Sequence, residues 1–426
     1  MTTTPATPAP TIGSGHEGSS REQLLGYFRN LRQGEMGALP ALGGFVVLVI
    51  LFAFLSTEFL TPLNLANLLT QGATLMTLAV ALVFVILLGE IDLSAGVTSG
   101  VGAATFVVLV HNTHMNWILA LAIALAVGLA IGTFIGFFVA RVGIPSFVVT
   151  LGLFLGFQGL QLLIIGRGGA YRIETPEINA IMNKNLPVPL GWAMLAVAIA
   201  IAIAIALWDR WRRNKAGVIN RPILLMWMRL GAIAVAGVLF VALLSVDRAA
   251  SRGQLNGVPI AHDEIIGVPI VVPFAVAILW IGTFILDRSR FGRHLYAVGG
   301  NAEAARRAGI RVASVRLAAF VVCSGLAIVA GVFDASRIGV VTAASGSQIV
   351  LSGVAAAVVG GVSLFGGRGR LSHAAIGALV IAVIANGLGL LGLPGGVNFL
   401  VTGGVLILAA TIDAVSRKRA GGTLTR

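Results

Sequence analysis

Residues 63–88 read LNLANLLTQGATLMTLAVALVFVILL, without one charged side chain. About 20 such residues, wound as a helix, cover the ~30 Å hydrocarbon core of a bilayer. Only a helix satisfies its own backbone there, so the stretch reads as a spanning helix. Its first half carries Asn64, Asn67 and Gln71, amides that need partners or water in such surroundings. The rest of the chain agrees with this reading. Of its 426 residues 57% are hydrophobic and 11% charged, and the mean hydropathy is +0.97. A soluble domain is about a quarter charged, so a water-soluble globule is excluded. Disorder of the whole chain is excluded too, because it needs low hydrophobicity and high charge. One cysteine, Cys323, excludes a disulfide framework and any multi-cysteine metal site.

Runs of the same kind predict an all-α, polytopic bundle with about twelve spans and broken helices. They are Ala38 to Leu55, Leu63 to Leu88, Leu93 to Val110, Trp117 to Ala140, Pro145 to Ile165 and Gly191 to Leu207. Then follow Leu230 to Ser245, Val268 to Leu286, Ala313 to Phe333, Ile349 to Phe365, His373 to Leu391 and Phe399 to Ala414. The polar segments between them fall alternately on two sides. One side holds 23 of the 29 Lys and Arg residues, and the other holds Arg167, Arg172, Lys184, Arg248, Arg252 and Arg337. The basic side is expected to be cytoplasmic, with both termini there. The net charge of +13 is then a topology signal, which argues against nucleic acid as a partner.

Residues 1–37 read as a disordered tail with an interfacial helix near Arg21 to Arg32. The apolar run begins too far in for a cleavable signal, so the first span is expected to stay as an anchor. Residues 38–415 form the expected transmembrane domain, and 416–426 a basic cytoplasmic tail. No phosphate-binding loop is present: none of the three lysines follows a glycine. His111 and His114 are read as part of a polar external loop without a nearby carboxylate. Glu90, Asp92 and Asp334 are the acidic residues in or beside apolar runs, too few for a proton-coupled pump. A membrane-embedded enzyme would need a catalytic cluster at one depth, and none is visible.

The long basic segment 287–316 breaks at Gly299 and Gly300, then offers Asn301 as an N-cap. Glu303, Ala304, Ala305, Arg306 and Arg307 are mostly strong helix formers, and Gly309 suits a left-handed stop. A capped helix of about two turns is expected, suited to a groove on a partner; the plainer reading is an amphipathic connector. Between the second and third spans stands Gly89-Glu90-Ile91-Asp92-Leu93-Ser94-Ala95-Gly96. Asp92 or Ser94 is expected to cap the third helix, and the break to line a polar path. LLGEIDLSAG (87–96) is echoed by VVGGVSLFGG (358–367), which hints at an internal repeat. Gly128, Gly132 and Gly136 make one close-packing face, Gly152 and Gly156 another. Among the buried amides, Asn67, Gln71, Gln158 and Asn386 are the candidates for pathway lining; Gln161 is a further amide. The plainer reading for each is an interhelical hydrogen bond.

The run YAVGGNAEAARRAGI (296–310) carries Glu303-Ala304-Ala305, three residues, then Gly309. It resembles the EAA-x3-G coupling motif of permease subunits in binding-protein-dependent ABC sugar importers of the ribose/xylose type. Glu90 to Gly96 resembles the EIDLS-x-G signature of xylose-type members, whereas ribose-type members usually have glycine at the place of Glu90. GGVSLFGGRG (360–369) resembles the family's second glycine-rich loop, and Trp208 to Gly217 with the next span resembles the two-helix insertion of xylose-type members. The likeness extends from about Phe59 to Asp413. It implies a permease that moves a monosaccharide, a pentose such as D-xylose, inward across the cell (inner or plasma) membrane. The nearest alternatives are a ribose, nucleoside or branched-chain amino-acid permease; an ion-coupled secondary transporter is a rival of another class. The resemblance also implies two ABC ATPase subunits, an extracytoplasmic solute-binding protein and a second copy of the permease in surrounding lipid. It implies no cofactor in this chain, since ATP and Mg would sit on the ATPases. Relatives usually carry an acidic pair where this chain has Ser347-Gln348-Ile349-Val350-Leu351-Ser352.

Overall fold

The computed structural model describes residues 39–166, 169–217, 223–248, 254–255, 258–259 and 265–419. The helices are α1 (Leu39–Leu55), α2 (Pro62–Ile86), α3 (Ala95–Thr113), α4 (Trp117–Phe137), α5 (Ser146–Ile165) and α6 (Pro176–Asn183). They continue as α7 (Val188–Lys215), α8 (Ile223–Leu244), α9 (Val271–Arg288), α10 (Arg290–Gly300), α11 (Ala302–Arg307) and α12 (Val312–Ile338). The last are α13 (Ile349–Val359), α14 (Leu371–Leu390) and α15 (Gly395–Arg419). Of the strands, β1 (Ala170–Arg172) pairs antiparallel with β4 (Val340–Thr342), and β2 (Gln254–Leu255) with β3 (Val258–Pro259).

Each of the twelve expected spans has its helix, and among the described residues ten helices are long and apolar enough to cross a membrane. The run 63–88 is one unbroken helix. Pro62 opens it where no N–H is needed, and the Thr61 side chain accepts from the Asn64 N–H. Two are shorter: α1, with 17 residues, and the expected span Ile349 to Phe365, which stops at Val359 and has only 11. Gly361 there takes a left-handed φ of 99°, which ends the helix at no steric cost. Of the tails expected at 1–37 and 416–426, residues 1–37 and 420–426 lie outside the described residues, while 416–419 continue α15.

The chain forms two compact units. In the smaller, within residues 189–243, α7 and α8 leave nearly all their apolar surface exposed. Gly237 of α8 lies against the side chain of Leu195 of α7. The larger unit is built around α12, where Ala319, Phe320, Cys323 and Ala327 are all fully buried. Gly128, Gly132 and Gly136 of α4 lie on it: a Cβ at Gly132 would come 2.6 Å from the Phe320 carbonyl oxygen and the Val321 Cα. This glycine face therefore packs within the subunit. Gly152 and Gly156 of α5 meet nothing within 4 Å. A reciprocal amide pair joins α2 to α14: Asn64 Nδ2 donates to Asn386 Oδ1, and Asn386 Nδ2 to Asn64 Oδ1, both at 2.9 Å. The outward faces are apolar, as in Phe54, Leu163, Leu400 and Ile407, which suits lipid rather than water.

Candidate functional site

The basic segment 287–316 is more helical than expected. Gly299 and Gly300 do not break it; they form the last turn of α10, and the break falls at Asn301 with φ −160°. Helix α10 was legible, because Phe291, Leu295 and Val298 sit at i, i+4 and i+7 among Arg290, Arg293 and His294. Phe291 stacks on Phe84 of α2 at 6.3 Å between centroids. After the break, Asn301 Oδ1 accepts from the Ala304 N–H at 2.9 Å, and α11 ends on Gly309 at φ 83°. Both caps stand where the sequence put them. Glu303 is exposed and bonds Arg306 at 3.0 Å and Arg307 at 3.2 Å, while Ala305 is buried toward the bundle. A rigid, charged, two-turn knob thus stands on the basic end of the bundle.

What lies beneath the knob was not legible. Three glycine-containing backbones meet there. A Cβ at Gly299 would collide with the Leu87 carbonyl, and one at Gly367 would lie 2.9 Å from the Gly300 Cα. The Gly367 N–H donates to the Leu87 carbonyl at 2.8 Å. Tyr296 of α10 donates its hydroxyl to the Gly369 carbonyl at 2.8 Å. Burial, and then nearby Asp287, push the Tyr296 pKa up, so the hydroxyl keeps its proton and remains a donor. Arg316, in the second turn of α12, pairs with Glu90 at 3.2 Å, both side chains largely shielded. The segment 287–316 is therefore tied to the ends of both α2 and α13. Ser363 in the second loop also donates to Asp413 of α15 at 2.9 Å.

Those two helix ends are the echoed peptides, and they share structure. Gly89 and Gly361 are left-handed, and the next N–H (Glu90, Val362) reaches back five residues to Val85 and Ala357. Asp92 accepts from the Ser94 N–H as Ser363 accepts from the Phe365 N–H. The turns match in the register of the echo, whereas the glycine caps lie one place out of it.

Of the two expected caps of α3, Ser94 is corrected: it occupies the cap position but its side chain makes no capping bond, while the Asp92 carboxylate accepts the Ser94 N–H at 3.0 Å. The Ser94 hydroxyl instead donates to Asp92 Oδ1 at 2.6 Å, in a turn just before the helix. Asp92 is fully buried, with the Cys323 thiol of α12 beside it. Gly96, in the first turn of α3, lies against Gly346 and Val350, at the start of α13. The ends of α3 and α13 that bring positive partial charge therefore abut inside the bundle.

The lining candidates separate. Asn386 is absorbed by its pair with Asn64. Asn67 is exposed and Gln71 half-buried, four residues apart on α2; Gln158 is half-buried on α5. Gln161 carries more structure than sequence reading assigned it. It is fully buried, and its amide donates to the carbonyls of Thr342 at 2.8 Å and Ser345 at 3.2 Å. The reading of His111 without a carboxylate is also corrected: Glu174, brought over by the β1 turn, lies 4.0 Å from it, and Tyr171 packs edge-on at 5.2 Å.

Compared with known proteins, residues 64–221 and 177–410 match the family described as branched-chain amino acid transport system / permease component. The xylose transport system permease protein XylH of Escherichia coli K12 is 30% identical over 380 residues, 88% of this chain and 91% of that protein. The XylH protein of Haemophilus influenzae is 30% identical over 88% of this chain and 96% of its own. The ribose import permease protein RbsC of Bacillus subtilis is 30% identical over 89% and 94%. No solved structure matches the chain.

Proposed function

Because the chain belongs to the permease-component family of branched-chain amino acid transport systems, we propose that it is the membrane subunit of an ABC importer for a pentose, D-xylose first. At the coarser level it is a multi-pass membrane permease of the ribose/xylose sugar type, from a family whose members serve ABC importers. The work comes from separate ATPase subunits, which hold the ATP and Mg, and the affinity from an extracytoplasmic binding protein. The basic end of the bundle is placed in the cytoplasm, a reading supported by the excess of 23 Lys and Arg residues on that side. Two copies in the inner membrane surround the path. Xylose is favoured by the α7–α8 insertion and by Glu90 in the junction; the stretch Ser347–Ser352, which lacks the relatives' acidic pair, favours a different solute.

The observation that carries the reading is α11: a doubly capped helix with an exposed Glu303, standing on a joint that ties the ends of α2 and α13 together. ATP-driven closure of the ATPases would push α11, and the joint would pass that displacement to α2 and α13 together. Residues Gly299, Gly300, Asn301, Glu303, Ala304, Ala305 and Gly309 are assigned to this coupling. The test reconstitutes the chain with its ATPase and binding protein. ATP-dependent sugar uptake is expected, and Glu303→Ala or Gly309→Val should lower it together with ATPase co-purification. Normal uptake and assembly in both variants overturns the coupling role; solute accumulation by the chain alone overturns the ABC reading. Calorimetry of the binding protein against xylose, ribose and hexoses decides the sugar.

A further inference from the structure

We propose that residues Thr342–Gln348 form a re-entrant turn that ends part-way across the bilayer and is the floor of a water-filled vestibule for a neutral, polyhydroxylated solute. The proposal rests on the transport reading above and names where in the chain the solute is met. The first observation is length. With 11 residues, α13 rises roughly 16 Å, about half of the ~30 Å core. The loop that follows its far end, Phe365–Gly367, lies in the joint at the basic end, against Leu87 and Gly89. The start of α13 therefore sits within the membrane, and the backbone before it is irregular. Irregular backbone at that depth survives only where protein or water satisfies it.

The protein satisfies it from one side. Gln161 holds the Thr342 and Ser345 carbonyls, the Ser345 hydroxyl accepts from the Thr342 N–H at 2.9 Å, and the Ser345 and Gly346 carbonyls lie on Gly100 and Gly96 of α3. The other side is open: Ala344, Gln348 and Leu351 are exposed. Beside this turn Gln161 Oε1 remains buried without a partner, as does Thr98 Oγ1 between Gly96 and Gly100 of α3. On α2, Gln71 and Asn67 stand two and three turns farther from the joint than Leu78 and Leu82, on the face that meets Gly353 of α13. The surroundings thus offer hydroxyls, amides and two helix ends of positive partial charge, and the turn Thr342–Gln348 itself carries neither a cation nor a carboxylate. Such a lining hydrogen-bonds sugar hydroxyls weakly, as a path rather than a store requires.

The single native thiol, Cys323, is fully buried, so the chain is its own silent background. The assembled transporter in right-side-out vesicles, carrying Ala344→Cys or Ser347→Cys, is treated from outside with a membrane-impermeant maleimide. Ala356→Cys, fully buried lower on α13, is the control. Both turn variants should react within about tenfold of His114→Cys at the exposed end of α3, and at least about tenfold more slowly when ATP and vanadate trap the ATPases. Unreactive turn cysteines in a transporter that still takes up sugar overturn the vestibule and leave the transport reading standing. Reactive cysteines in a complex without ATP-driven uptake support the vestibule and overturn that reading instead. Gln161→Leu adds a second measurement: lost anchoring should change the reactivity of Ser347→Cys, and an unchanged rate removes Gln161 from the proposal.

Discussion

Arg316 and Glu90 show what one residue pair contributes here. Neither belongs to the coupling helix, yet their 3.2 Å ion pair joins the helix that follows it to the break between α2 and α3. Both side chains are largely shielded, so removing one leaves the other charge poorly solvated. Glu90→Gln and Arg316→Gln are each expected to reduce ATP-driven uptake several-fold. The exchange Glu90→Arg with Arg316→Glu should recover a substantial part of it, and no recovery in uptake assays removes the pair from the coupling route. The Asn64–Asn386 pair makes a different prediction. Either amide replaced by Leu orphans its buried partner, at about 1–3 kcal/mol. Replacing both should cost less than the sum of the single changes. A thiol-reactive melting assay reads this directly, because Cys323 is buried until the bundle opens. Simple additivity would mean that the two amides do not depend on one another.

At the scale of elements, glycine decides which helices touch. On α4 and α5 the sequence shows similar glycine stripes, but only the α4 stripe lies on a neighbour, the backbone of α12. Gly132→Leu should therefore unfold the subunit at markedly lower temperature, whereas Gly156→Leu should leave its melting nearly unchanged. Equal losses in the two variants would contradict the packing. The helix caps were legible because capping is local chemistry: Asn301 Oδ1 needs only the N–H three residues on, and Gly309 only its own freedom of φ. The capping role of Ser94 was not, because Asp92, two residues away, competes successfully for its hydroxyl.

The whole chain carries two units, and their boundary has a physical form. Leu186 N–H donates to the Val268 carbonyl, Gly267 N–H donates to the Leu244 carbonyl, and buried Arg248 holds the carbonyls of Leu244 and Gly267 at 2.6 and 2.9 Å. The larger unit thus closes on itself where residues 189–243 leave and return. Excising those residues for a short Gly-Ser link removes two spans, an even number, so the orientation of the remaining helices is kept. The excised protein should insert, and its Cys323 should stay protected from thiol reagents in mild detergent. Rapid labelling of Cys323 would show that the larger unit depends on the insertion.

Composition and hydropathy alone decided that this is a helical membrane protein, because the cost of leaving backbone groups unpaired in hydrocarbon admits no other reading of such runs. Local motifs likewise decided the capped knob at 301–309, since its bonds span at most five residues. The joint of Leu87, Gly299 and Gly367, the pairing of Glu90 with Arg316 and the anchoring of the Thr342–Gln348 turn by Gln161 belong to the tertiary structure. Those partners lie between about 70 and 280 residues apart along the chain, and a glycine or glutamine gives no local sign of which distant backbone it will meet.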